Sequence, residues 1–236
     1  MLRREREGDV LVLTIDRQDR KNALTIAMRE EIERLPEEVN VDPGVAVVIL
    51  AATEPVFCAG ADLKELAATP DSPATRPGAG LRAIEKPTIA SVGGACVTGG
   101  LELALSCDFI LASDRARFAD THARIGVLPR WGMSALLPRR IGLARAKEIS
   151  LSGRWVDAGE AERIGLVNRV VPHGTLRDET LELARRVAAH PSKAVVATLD
   201  LLDRGEGLSL GDALDLEDEV AGAFVVDAAR LRPARS

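Results

Sequence analysis

The chain has 236 residues, 46% of them hydrophobic and 28% charged, with a formal net charge of −5. That is enough chain to bury a core without a metal or disulfide staple. The acidic balance, with 3% aromatics and no Tyr, argues against a nucleic-acid partner. No apolar run is long enough to cross a membrane, and "MLRREREGDVLVLTID" lacks the apolar core of a secretory leader. Cys58, Cys96 and Cys107 lie in apolar contexts and read as buried free thiols of a cytoplasmic protein.

In chain order, Val10–Asp16 reads as a buried strand, and Thr25 as the N-cap of a helix that Pro36 should end or kink. Val45–Leu50 is a second strand. A turn at Gly60 leads into a short helix, and residues 69–80, rich in Pro and Gly, read as a mobile loop. Pro87–Val92 and Asp108–Ser113 are further strands, "LVNRVV" a shorter one. The strands are apolar on both faces and alternate with helices, which predicts a parallel sheet covered by helices. Asp157 and Glu160 form a capping box that stops at Gly165, and two amphipathic helices follow Thr175. The expected division is a core over 1–172 and a helical region over 173–236.

Two segments share one design: strand, glycine turn, helix start. They are "VFCAGADLKE" and "SVGGACVTGGLELAL". Free backbone amides at such turns, those of Ala61 and Gly99, are suited to hold an oxyanion. Glycine lets a ligand approach the main chain. Glu102 follows Gly99 by about one helical turn, in apolar surroundings where an ionised carboxylate needs compensation. The bland reading of the same residues is a turn that packs a helix on a sheet, with Glu102 capping its own helix. Neither a P-loop nor a dinucleotide fingerprint is present.

Together with "RKNALT", "FADTHARIGVLP" and "GLVNRVVP", these motifs resemble the crotonase superfamily, the enoyl-CoA hydratase/isomerase group, from about Val10 to about Val220. The resemblance implies an α/β spiral of ββα repeats with C-terminal trimerisation helices, often a dimer of trimers. It implies an acyl-CoA ligand whose thioester oxygen sits on the amides of Ala61 and Gly99. It implies no separate cofactor, coenzyme A being part of the substrate, and no metal. Glu102 matches one of two catalytic glutamates, and the implied reaction is addition of water to a 2-enoyl-CoA, giving a 3-hydroxyacyl-CoA.

The second glutamate's place is taken by His122. Proton transfer, orientation of the water beside Glu102, and simple space filling are all open to it. His173 and His190 read as solvated turn and helix-end residues. Lys21, Ala23, Ala61, Asp62, Leu63 and Lys64 match segments that contact coenzyme A in the family; Lys64 is equally readable as a solvated helix-start lysine. Arg130 and Trp131 stand where the family has small residues near the acyl pocket. The tail departs from the family's terminal helix, which often closes the site or touches a neighbour. Isomerisation, decarboxylation and thioester hydrolysis remain alternatives, as does a non-catalytic acyl-CoA binder. A serine peptidase on a related spiral lacks a suitably placed nucleophile.

Overall fold

A computed structural model describes residues 1–69 and 74–226. The chain opens with an antiparallel pair, β1 (Leu2–Glu7) and β2 (Val10–Ile15), followed by α1 (Ile26–Val39). Three rungs of one design then follow. The first is β3 (Val47–Ala52), β4 (Val56–Cys58) and α2 (Leu63–Ala68). After α3 (Pro77–Arg82), the second is β5 (Thr88–Val92), β6 (Ala95–Val97) and α4 (Gly99–Leu105). The third is β7 (Phe109–Ser113), β8 (Arg117–Ala119) and α5 (His122–Ile125). The rest is mainly helical: α6 (Met133–Ile141), α7 (Leu143–Ser152), β9 (Val156–Asp157), α8 (Ala158–Arg163), β10 (Arg169–Val171), α9 (Leu176–Ala188), α10 (Ser192–Gly205) and α11 (Leu210–Ala223).

The first strand of every rung joins a six-stranded sheet ordered β1-β2-β3-β5-β7-β10, parallel except at β1. The second strand of every rung joins a smaller sheet ordered β4-β6-β8-β9. The expected ββα spiral is therefore what the chain forms.

Strand alternation explains why these strands are apolar on both faces. Leu11, Leu13, Val48 and Leu50 point into the main core. Val10, Val12, Val47 and Ile49 point the other way and are covered by Leu176, Leu181 and Ala184 of α9. Helices thus lie on both faces: α9 on one, and α1, α3 and α4, together with the small sheet, on the other. The three-residue strands of that sheet are too short for a periodic signal.

Several expectations are corrected. Leu2–Glu7, to which the sequence reading gave no element, is a strand: an edge strand carries charge on its open side, here Arg4 paired with Glu31 and Glu38, and Arg6 with Asp42. Pro36 neither ends nor breaks α1, which runs on to Val39, because α1 is held by burial of Met28, Ile32, Leu35 and Val39. Of the segment expected to be a mobile loop, Pro77–Arg82 is helical and largely buried, with Pro77 at its first turn; residues 70–73 of that segment lie outside the described residues. Thr25 caps α1 by accepting from the Met28 amide, and Asp157 caps α8 by accepting from the Glu160 amide. Glu160 does not close the capping box but pairs with Arg154.

A buried asparagine fixes the segment ahead of α1. Asn22, fully buried at φ 54°, accepts from the Arg17 amide and donates to the carbonyls of Thr53 and Val56. Asn tolerates this left-handed backbone better than Ala. Asn22→Ala removes the acceptor of the Arg17 amide and one of two donors to each carbonyl, Gln18 Nε2 being the other, and is expected to cost about 1–3 kcal/mol in urea unfolding. A loss under about 0.5 kcal/mol, the size of an ordinary surface change, would show that the peg is dispensable.

Candidate active site

Because β4, β6 and β8 are neighbours, the turns that follow them are brought together at one end of the small sheet. Cys58 pairs with Cys96, and Cys96 with Phe118. Adjacent parallel strands run about 4.8 Å apart. Ala61, Gly99 and the Asp120–His122 segment therefore occupy successive rungs.

At the first turn, Gly60 donates to Cys58 Sγ at 3.3 Å and its carbonyl accepts from the Leu24 amide at 2.8 Å. The Asp62 amide donates to the Leu24 carbonyl at 2.9 Å. A bridge of that kind engages the residues on either side of Ala61 and turns Ala61's own N–H the other way. Among the described residues that amide has no protein acceptor. It was expected to be free as part of a helix start; it is free because of this bridge, and it precedes the N-cap, Asp62.

At the second turn, Thr98 sits at φ 53°, a rare conformation for a β-branched residue. Its amide bonds to the Ala119 carbonyl, and its hydroxyl meets that of Thr121 and accepts the Thr121 amide. Gly99 follows as the first residue of α4, where an amide has no partner within the helix. The two turns touch: a Cβ on Gly60 would lie 3.0 Å from the Gly99 nitrogen, and one on Gly99 3.0 Å from Gly60 Cα. Only glycine permits this approach.

Glu102 is 1% exposed, so its carboxylate needs partners. Its Oε1 accepts the amides of Trp131 at 2.8 Å and Met133 at 3.0 Å. Arg82, the last residue of α3, bonds to Ser106 Oγ and the Trp131 carbonyl, and Ser106 donates to the Glu102 carbonyl. Burial lowers the Arg82 guanidinium's pKa, while the charge of Glu102 draws it back up. The carboxylate thus reaches across to the loop ahead of α6 and does not cap α4.

Glu102 Oε2 lies 3.6 Å from His122 Nε2. His122 is 7% exposed, and its Nδ1 lies 2.7 Å from Asp120 Oδ1. Burial pushes the Asp120 carboxyl up, but hydrogen bonds from His122 and Ser150 more than offset this and hold it below the usual carboxylate range. An ionised carboxylate only accepts, so Nδ1 carries a proton and Nε2 is the ring atom turned to Glu102.

The indole of Trp131 rests on Gly99: a Cβ there would be 2.4 Å from Trp131 Cζ3. Trp131 Nε1 donates to the Thr75 carbonyl, and Arg29 lies over its ring. Arg130 is exposed beside it. Lys21 and Ala23 come alongside the first turn, where the Lys21 carbonyl accepts the Ala59 amide. Asp62 is structurally occupied: it caps α2 and pairs with Arg17 at 2.7 Å. The bond from Arg17 holds the Asp62 carboxyl below its usual range. Leu63 and Lys64 are exposed on α2.

His173 is half-buried rather than solvated, with its Nε2 2.9 Å from Glu54 and its ring facing Ser113; His190 is exposed at the end of α9. Cys58, Cys96 and Cys107 are free and buried, and burial pushes the Cys58 and Cys107 thiols up to about 12. No group of three or more His, Cys, Asp and Glu side chains among the described residues is placed to hold a metal. Asp120, Arg82 and the Met133 amide were missed by the sequence reading. The Asp-x-His spacing was a visible signal for the first; nothing local pointed to the other two.

The family model described as enoyl-CoA hydratase/isomerase matches residues 5–230. A relative from Arabidopsis thaliana, "Probable enoyl-CoA hydratase 1, peroxisomal", is 35% identical over 94% of this chain and 85% of its own length. The solved structure of an enoyl-CoA hydratase from Bacillus anthracis superposes with a TM-score of 0.90 at 30% identity, covering 98% of this chain and 93% of that one. That of an enoyl-CoA hydratase from Mycobacterium tuberculosis gives 0.79 at 40% identity, covering 94% and 98%. With this shared fold and this extent of likeness, the chain belongs to the enoyl-CoA hydratase/isomerase family.

Proposed function

We propose that the protein adds water to a 2-enoyl-CoA, giving a 3-hydroxyacyl-CoA, with Glu102 and His122 as its catalytic residues. One observation carries this reading. A buried carboxylate has one oxygen fixed by two backbone amides and the other facing an imidazole nitrogen, beside two amides that find no protein acceptor among the described residues.

In this reading the thioester oxygen sits between the amides of Ala61 and Gly99, which stabilise the charge it gains as C3 is attacked. Oε2 of Glu102 is free to hold the water and take its proton. His122 Nε2 stands beside it to supply the proton that C2 acquires. Coenzyme A enters as part of the substrate, and the chemistry calls for no separate cofactor. Lys21, Ala23 and the exposed face of Ala61–Lys64 flank the carbonyl cradle on the side where the coenzyme would lie. Trp131, seated on Gly99, walls the acyl side and favours short chains.

A trimer, or a dimer of trimers, is the assembly we favour. Leu143 and Leu151 of α7 and Leu202, Leu210 and Leu214 of α10 and α11 are exposed and available for such contacts. No helix among the described residues is long and apolar enough to cross a membrane. Three buried, unpaired thiols suit the reducing cytoplasm, where we place the protein.

Three substitutions test the reading. In Glu102→Gln the amide oxygen still accepts from Trp131 and Met133, so the fold is retained while the charge is lost. Crotonyl-CoA hydration should fall at least about a hundredfold, with acyl-CoA affinity little changed. Mass spectrometry follows the product, which gains one water; full activity in this variant would remove the mechanism. Gly60→Ala places a Cβ 3.0 Å from the Gly99 nitrogen, at a residue with φ 94°. It should cost about 10²–10³-fold in kcat, the loss seen on removing one oxyanion donor. Trp131→Ala should raise kcat/KM for longer enoyl chains relative to crotonyl-CoA. An unchanged chain-length profile would exclude Trp131 from the pocket wall.

A further inference from the structure

The ring of His122 is held by a buried carboxylate two residues before it. Between β8 and α5, Asp120 is 2% exposed, and its Oδ1 accepts both the His122 amide at 3.1 Å and Nδ1 at 2.7 Å. The turn that carries it is stapled to the Gly99 turn through Thr98 and Thr121. The result is a buried line of carboxylate, imidazole and carboxylate: Asp120, His122 and Glu102. Imidazole nitrogens are inequivalent, and the partner of one decides what the other can do. A ring free to turn would present Nδ1 and Nε2 to Glu102 in mixture.

We propose that Asp120 is the positioning residue of a proton relay between Glu102 and His122, one that does the work of a second glutamate. The proposal rests on the hydratase reading. At the start Glu102 is ionised and His122 carries protons on both nitrogens. Oε2 takes a proton from water as the water oxygen bonds to C3. The electron pair of the C2–C3 double bond moves toward the thioester, whose oxygen is held by the amides of Ala61 and Gly99. The Nε2–H bond breaks as the C2–H bond forms, leaving the ring neutral with its proton on Nδ1. The proton on Glu102 then crosses the 3.6 Å to Nε2 and restores both groups. The net change is one water added, with no oxidant or reductant. Throughout, Asp120 keeps Nε2 aimed at Glu102 and faces the positive charge of the doubly protonated ring.

Asp120→Asn separates this role from simple architecture. The Asn oxygen can still accept from the His122 amide and from Nδ1; only the charge is lost. A merely structural Asp120 would leave kcat untouched. The relay predicts that kcat for crotonyl-CoA falls about a hundredfold, the lower end of what proton transfer contributes, while KM stays within about twofold. Wild-type kcat in this variant would overturn the proposal. Nitrogen-15 NMR of labelled histidine gives a second measurement, independent of turnover and of how the variant folds. At a pH where the ring is neutral, wild-type His122 should show its proton on Nδ1, and an Nε2–H ring would overturn the proposal. If wild type shows Nδ1–H yet hydrates no enoyl-CoA, the hydratase reading and the relay built on it both fail. If it hydrates and Asp120→Asn does too, only the role of Asp120 fails.

Discussion

The site is organised around a charge that could not be buried without help. Removing the Glu102 carboxylate from water costs several kcal/mol unless hydrogen bonds and countercharge replace the lost solvent. Two main-chain amides, of Trp131 and Met133, supply those bonds, and Arg82 supplies positive charge nearby. Both amides engage Oε1. The division matters, because a carboxylate whose two oxygens were both satisfied would be inert. Fixing one oxygen locks the rotamer and leaves the other to meet His122. The same bonds tie α4 to the segment entering α6, so the loop carrying Trp131 is positioned by the group it helps to bury.

Repetition of one structural unit provides the rest of the geometry. Each rung spends a strand on the large sheet and a short strand on the small one, then turns into a helix. The turn after β4 presents Ala61, the turn after β6 presents Gly99, and the turn after β8 presents Asp120 and His122. Parallel pairing in near-matching register stacks these positions regardless of their separation in sequence. The amides are exposed by different means. Gly99 owes its free N–H to a helix start, Ala61 to the bridge between its neighbours and Leu24. Neither helix is long: α2 has six residues and α4 seven. Direct hydrogen bonding from the amides, rather than a helix macrodipole, therefore carries the argument for an oxyanion cradle.

The large sheet was legible because its strands are apolar on both faces, and the two glycine turns because glycine beside apolar strands is an unusual pattern. The charged strand β1 was hidden by the chemistry that protects an edge. The small sheet was hidden because three residues cannot display a period. Pro36 misled because the burial along α1 outweighs one missing hydrogen bond. The Pro- and Gly-rich composition of 69–80 suggested mobility, yet close packing uses Gly80: a Cβ there would lie 2.5 Å from Glu33 Cα. At the site, side-chain identity pointed to Glu102 and His122. The bonds to the Trp131 and Met133 amides were invisible, since a backbone donor carries no signature of its own.

A histidine, rather than a second carboxylate, beside Glu102 has a structural consequence that reaches beyond one position. A carboxylate offers two equivalent oxygens, so either can face the reacting atoms after a half-turn about its last bond. An imidazole offers two nitrogens that differ whenever the ring is neutral, and turning it exchanges a donor for an acceptor. Histidine at this place therefore needs a neighbour that fixes both orientation and tautomer. The neighbour must be acceptor-only, buried so that water does not compete, and close in sequence so that the same turn places both. Asp120 meets all three conditions, and the two bonds from His122 to the same oxygen fix its orientation. On physical grounds, a histidine at this place is a two-residue requirement, and the Asp-x-His pair is the unit that answers it.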